Sequence, residues 1–157
     1  MRKFIPILLV TLLSASCIKI DQFEKTVQIP SREWFYNNTP AFTFNISDTN
    51  SSYNLYVVLR HTDAYNYNNI WLRLNTQFPG DSTHSQNINL NLANDAKGWE
   101  GTGMDDIFEV RKNISRGPVP FNKAGNYTFS LSQIMRENPL RNILSVGVRV
   151  EKVKLQP

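Results

Sequence analysis

Asn87-Ile88-Asn89-Leu90-Asn91-Leu92 decides the fold class. Apolar and polar side chains alternate strictly there, and a period of two marks a strand with one buried face. The same rhythm recurs on both sides of it. Phe42, Phe44 and Ile46 alternate with Thr43 and Asn45, Tyr53, Leu55, Val57 and Leu59 with Asn54, Tyr56 and Val58, and Ile70, Leu72 and Leu74 with Trp71 and Arg73. Further on, Tyr127, Phe129 and Leu131 are separated by Thr128 and Ser130, and Val146, Val148 and Val150 by Gly147 and Arg149. Residues 26–29 and 107–113 are weaker candidates of the same kind. About eight strands at such short spacing predict an all-β chain, a two-sheet antiparallel β-sandwich of the jelly-roll or Ig-like type. Turn residues punctuate the same places, at Ser47-Asp48-Thr49-Asn50, Pro79-Gly80-Asp81-Ser82 and Lys123-Ala124-Gly125-Asn126. The single helical expectation is a turn or so over Leu131 to Glu137, ended by Asn138-Pro139.

The N-terminus reads differently. Met1-Arg2-Lys3 is a positive segment, Phe4 to Leu13 an apolar one, and Ser14-Ala15-Ser16 supplies the small residues that precede cleavage of a secretory signal. As a helix the apolar stretch reaches only about 15 Å, half the hydrocarbon thickness of a bilayer, so it does not span. Cys17, the only cysteine, follows the small-residue triplet directly, where a bacterial lipoprotein signal places the cysteine that is acylated and becomes the mature N-terminus. Ser14 stands where such signals prefer Leu, with Leu13 one residue earlier. An exported chain with one cysteine forms no internal disulfide, and an unpaired thiol is a liability outside the cytoplasm. The predicted layout is a cleaved signal over residues 1–16, a lipidated Cys17 with a tether or first strand to residue 30, and a sandwich domain over residues 31–157.

Composition narrows the function classes. The 157 residues are 41% hydrophobic and 19% charged, with a formal net charge of +4. That fits one ordinary domain rather than a disordered or polytopic membrane chain. Loss of Arg2 and Lys3 with the signal takes the net charge from +4 to +2, and no Lys/Arg cluster remains to follow a phosphate backbone. Nucleic acid is not an expected partner. The membrane is, through acyl chains on Cys17, since more than one chain is needed for stable anchoring. Ile18-Lys19-Ile20-Asp21 holds no acidic run after Cys17, which favours a domain facing the periplasm.

Catalytic patterns are missing. No G-x-S-x-G elbow occurs, and His61-Thr62-Asp63 reads as the end of a hairpin, because adjacent strand residues point to opposite faces. Two histidines and an acylated cysteine do not make a zinc site, and no cofactor is called for. Glu100, Asp105 and Asp106 are typical of a solvated turn as much as of a glycosidase pair. In Gly98-Trp99-Glu100-Gly101-Thr102-Gly103 the glycines let the backbone turn around Trp99, which is expected to pack as a plug on the sandwich. No enzyme activity is predicted.

Several runs together are familiar. Val58-Leu59-Arg60-His61-Thr62, Asn69-Ile70-Trp71-Leu72, Gly98-Trp99-Glu100-Gly101-Thr102-Gly103, Gly125-Asn126-Tyr127-Thr128-Phe129, Met135-Arg136 with Pro139-Leu140, and Val146-Gly147-Val148-Arg149-Val150-Glu151-Lys152 follow one another after the lipoprotein signal. In order and spacing the chain resembles the gliding-motility lipoprotein GldH family of Bacteroidota, from Trp34 to Lys152. The resemblance implies a membrane-anchored, non-enzymatic accessory of gliding, linked to type 9 secretion, with other envelope lipoproteins as partners. It brings no catalytic residues.

Two classes of function stand side by side. One is an interaction protein that holds other envelope lipoproteins. The other is a carbohydrate-binding module, since Tyr65, Tyr67, Trp71 and Trp99 are rings on which sugars could stack. Parity gives the docking reading specific residues. If Leu55, Val57 and Leu59 face the core, Tyr56 and Arg60 face out, and in the next strand Trp71 and Arg73 do too. An antiparallel hairpin closing over residues 62–69 would set Arg60 opposite Trp71, as a cation–π pair within one patch of Tyr56, Arg60, Trp71 and Arg73.

Overall fold

Residues 22–153 are described in a computed structural model, so residues 1–21, with the expected signal segment and Cys17, and the last four residues lie outside the described part. In chain order the strands are β1 (Gln22–Gln28), β2 (Glu33–Trp34), β3 (Ala41–Ile46), β4 (Ser52–Thr62), β5 (Asn69–Gln77), β6 (Thr83–Asn91) and β7 (Ala93–Asn94). There follow β8 (Gly98–Trp99), β9 (Thr102–Met104), β10 (Ile107–Asn113), β11 (Val119–Pro120), β12 (Gly125–Gln133), β13 (Leu140–Arg141) and β14 (Ile143–Lys152). The eight strands of six residues or more are the eight segments whose alternation the sequence shows, the weak pair at β1 and β10 included.

All pairings are antiparallel. One sheet runs β1-β14-β4-β10-β9, with β11 beside β4 beyond the end of β10, and the other runs β3-β12-β5-β6. They form a β-sandwich. Val57, Leu59, Val146 and Val148 from the first sheet and Phe42, Ile70, Leu72, Phe129 and Leu131 from the second are sealed from solvent between them. Each such side chain contributes about 1.5–3 kcal/mol through burial. Phe44 ties one margin together, with its ring 5.4 Å from Phe23 of β1 and 5.1 Å from Phe129 of β12.

Most consecutive long strands change sheet, and this overturns the expected hairpin. β4 is hydrogen-bonded by β14 on one side and by β10 on the other, so it has no free edge for β5. β5 lies in the other sheet between β12 and β6. Alternation could not distinguish the two arrangements. A strand crossing to the facing sheet buries the same parity of residues as one turning back in its own.

No α-helix occurs among the described residues, so the expected turn over Leu131 to Glu137 is also corrected. Leu131 pairs with Leu74 and Gln133 with Leu72 as β12 continues. Beyond it the buried Gln133 carboxamide replaces the ladder: its Oε1 accepts from the Met135 amide at 2.8 Å, and its Nε2 donates to the carbonyls of Trp34 and Glu137, both at 3.1 Å. The short segment Pro30–Arg32 is a tight turn rather than a regular helix, with Ser31 and Arg32 at positive φ of 55° and 58°.

The antiparallel order gives the sandwich two distinct ends. β1 begins where β14 and β3 finish, together with the turns at 47–51, 78–82 and 114–124. The connections 29–40, 62–69, 92–106 and 134–142 gather at the far end.

Candidate functional site

The two outer faces of the sandwich have opposite chemistry. On the first sheet Arg111 reaches Glu24 at 3.1 Å and Glu109 at 2.7 Å, and Arg149 reaches Glu24 at 2.8 Å and Glu151 at 3.2 Å. Burial by itself would raise the Glu24 pKa, but the hydrogen bonds and charges of Arg149 and Arg111 outweigh it and hold the carboxyl below its usual range. This lattice covers Val58 and Gly147, which point outward yet are buried. Arg60 lies in it too, with Nε 3.6 Å from Glu109, and Tyr56 pairs with Asn113 nearby. The face is internally neutralised.

On the second sheet the outward positions are Ala41, Thr43 and Asn45 of β3, Asn126, Thr128, Ser130 and Ser132 of β12, Asn69, Trp71, Arg73, Asn75 and Gln77 of β5, and Thr83, Ser85, Asn87, Asn89 and Asn91 of β6. None is a carboxylate. Hydroxyls and amides bond across the strands, as in Thr43 with Thr128 at 2.8 Å, Asn45 with Asn126 at 2.9 Å and Asn69 with Asn89 at 2.7 Å. Trp71 and Arg73 interrupt this neutral ladder. The four residues expected to form one patch are therefore split, Tyr56 and Arg60 on one outer face and Trp71 and Arg73 on the other. Arg60 stands beside Glu109, not Trp71.

Where β5 meets the far end, the ladder opens into a groove. The Ile134 amide donates to the Trp71 carbonyl at 3.0 Å, after which the Trp71 amide finds only the Met135 sulfur at 3.2 Å. The chain at 134–136 thus forms a ridge between two hollows. One, of about 280 Å³, is lined by Tyr36, Arg73 and Met135, and the other, of about 500 Å³, by Tyr67, Trp71, Met135 and Arg136. The Tyr36 hydroxyl donates to the Met135 carbonyl at 2.7 Å, and the Tyr67 hydroxyl to Glu137 at 3.2 Å, so both rings are pinned in place. Trp71 and Tyr36 are each 44% exposed. Tyr36, Met135 and Arg136 were not singled out as site residues from sequence. The one available signal was an aromatic pair, Phe35-Tyr36, in a segment with no alternation.

Of the rings proposed for sugar stacking, Tyr65 is buried, and Trp99 is half-buried against His61, Tyr65 and Phe108. Trp99 is the plug expected from its glycines. Gly98 and Gly101 have φ of 74° and 93° on either side of it. Glu100 is ion-paired with Lys112, and Asp105 sits at φ 55° in the exposed turn between β9 and β10. Among the described residues no three His, Cys, Asp or Glu side chains are placed to hold a metal ion. None of their helices is long and apolar enough to cross a membrane.

His61 is wholly buried beneath the plug, while Asp63 is exposed, so they do not form a base and its orienter. Its Nδ1 lies 2.9 Å from the Thr62 carbonyl, and Nε2 has no partner among the described residues. Burial pulls its pKa below the ordinary value, against the opposing pull of the Thr62 carbonyl. The unfolded imidazole gains a proton as pH falls through about 6.5, while the folded one resists it, so stability present above that pH is lost below it. Thermal melting should show a drop between about pH 7 and pH 5. His61→Phe, which keeps a ring among rings, should flatten that drop, and an unchanged pH dependence would show that another group causes it.

Comparison with known proteins identifies the lineage. The profile of the GldH lipoprotein family matches residues 21–150, both sheets and the groove included. The chain belongs to the GldH lipoprotein family. It is 29% identical over 148 residues to the gliding motility lipoprotein GldH homolog of Christiangramia forsetii, covering 90% of each chain. It is also 29% identical over 153 residues to the gliding motility lipoprotein GldH of Flavobacterium johnsoniae, covering 93% of this chain and 94% of that one. Membership in GldH makes it a membrane-associated lipoprotein of the cell envelope, of the kind named for gliding motility.

Proposed function

We propose that the chain is a non-enzymatic accessory of the gliding and type 9 secretion-linked envelope machinery, anchored through acylated Cys17 with its domain in the periplasm, and that it docks other envelope lipoproteins at the Trp71 groove. One observation carries the docking reading: an exposed Trp beside two cations, Arg73 and Arg136, that have no ion pair among the described residues. Trp and Arg are the usual anchors of protein interfaces. Geometry supports it. Residues 18–21 extend at most about 14 Å, which keeps the start of β1 near the bilayer. The ten residues of β14 separate that start from the end of the sandwich that holds the groove, about 33 Å along the strand.

Trp71→Ala in the full-length protein should abolish cross-linking to neighbouring lipoproteins in intact cells, with a melting temperature within about 2 °C of the parent, since an exposed side chain carries little core energy. Loss of stability with partner binding retained would make Trp71 structural. Cys17→Ala should move the protein from membrane to soluble fractions or leave it unprocessed, and a native protein without acyl mass would remove the anchor. The neutral amide and hydroxyl ladder beside Trp71 favours a second reading, a lipid-anchored module for uncharged glycans. Binding on a glycan array, abolished by Trp71→Ala, would establish it over protein docking.

A further inference from the structure

Sheet edges in soluble proteins are shielded by charge, proline or brevity, because an open row of amides and carbonyls recruits other strands. β1 carries Glu24 and Lys25, β10 carries Glu109, Arg111 and Lys112, and β3 is six residues long and follows Pro40. β6 has none of these devices. Its nine residues, Thr83-His84-Ser85-Gln86-Asn87-Ile88-Asn89-Leu90-Asn91, include no acid, Lys, Arg or Pro, pair with β5 in unbroken register, and have no second strand partner among the described residues.

The space beside this edge is also unfinished. Gln86 pairs with Leu74 and His84 with Thr76, so both face the inside of the sandwich by parity, yet both are exposed. The first sheet does not reach over them. Its β10 edge stops at Asn113 and resumes only at Val119, and between the sheets a cleft of about 270 Å³ remains, floored by Leu55, Leu74 and Phe129. Arg116 stands on its rim, exposed and without an ion pair among the described residues.

We propose that β6 accepts an extended segment of another polypeptide as a fifth strand of the second sheet. The segment is about nine residues long, matching β6, with apolar side chains at alternate positions that close the cleft and a carboxylate that meets Arg116. A second copy of this chain does not fit. Antiparallel pairing of β6 with itself sets the two-fold axis across the strands, which sends the two β1 starts to opposite ends of the dimer. Copies anchored in one leaflet cannot do that. This step rests on the Cys17 anchor, while the cleft end of the edge, at Ser85 and Gln86, lies away from the Trp71 groove, whose register neighbour on β6 is Asn89.

The test uses the full-length protein in its own envelope. Ser85→Cys carrying a benzophenone maleimide should, on illumination, give an adduct whose partner peptide maps to an alternating apolar stretch with an acidic residue in another protein. Gln86→Lys places a charge on the inward side of the edge and should cut that adduct about tenfold while melting stays within about 2 °C of the parent. Hydrogen exchange should find alternate amides of residues 83–91 protected in the envelope and unprotected after purification in detergent. Trp71→Ala should leave the adduct intact, so that failure of the groove and failure of the edge are told apart. Equal exchange in both preparations, adducts formed only between copies of this chain, or an adduct that survives Gln86→Lys would each overturn the proposal.

Discussion

Trp34→Ala is expected to lower stability by about 3–5 kcal/mol, the range for truncating a large core aromatic. Trp34 is the largest side chain with no exposed surface, and it sits in β2, a two-residue strand whose only ladder is to Leu140 and Arg141 of β13. So short a pairing holds little by itself. What fixes the segment is the indole, which fills the far end of the sandwich beside the fully buried Leu140 and donates from Nε1 to the Asn38 carbonyl at 2.8 Å. Alanine would leave a cavity and an unsatisfied carbonyl together. The loss extends to the groove, because the Trp34 carbonyl accepts from the same Gln133 amide that holds Glu137. Against a typical total of 5–15 kcal/mol, melting should fall by about 10–20 °C. Trp34→Phe, keeping most of the ring volume, should fall by less than half as much. A Trp34→Ala protein that melts within about 3 °C of the parent would show that the indole is not in the core.

The far end is also where sequence reading lost ground. Alternation located every long strand because each presents one face to the same core, and the parity that put Leu59 inside and Arg60 outside holds in the structure. Parity carries no information about which strand lies alongside. β4 and β5 are adjacent in sequence, but the first sheet hydrogen-bonds both edges of β4, and the crossing through 62–69 sends β5 to the facing layer. A patch inferred from that neighbourhood had to divide. Trp71 and Arg73 kept each other as neighbours on one strand face, while their other neighbours, Tyr36, Met135 and Arg136, come from connections of irregular backbone. Those connections are positioned by Gln133 and Trp34, and a buried glutamine that replaces a strand ladder has no periodic signature. The Trp99 plug was legible because its glycines are local. Gly101 needs its positive φ and lies so close to the Glu109 carbonyl that no Cβ would fit.

Gly147→Ala should cost about 2–3 kcal/mol, although glycine is normally the weaker residue in a strand. Gly147 faces outward from β14 between Thr26 of β1 and Val58 of β4, under the arch that Arg111 makes with Glu24. A Cβ there would press on the Lys25 carbonyl and come within 2.9 Å of the Thr26 Cα. These are backbone atoms of the neighbouring strand, so no rotamer relieves the clash and β1 must move away. Moving β1 separates Glu24 from Arg149 and Arg111 and lifts Phe23 from Phe44, which is why the cost exceeds that of a surface change. Hydrogen exchange should localise the damage, with amides of β1 losing protection while those of β5 and β12 keep theirs. Uniform loss would mean that the sandwich had failed as a whole, and undisturbed β1 amides would mean that the two strands tolerate the methyl. The position matters beyond stability. β1 starts five residues after Cys17, so on the proposed Cys17 anchor any load between membrane and domain passes through its seven-residue ladder to β14. A Gly147→Ala protein should therefore be clipped by added protease near residues 22–28, releasing the domain from the membrane while the groove at the far end stays folded.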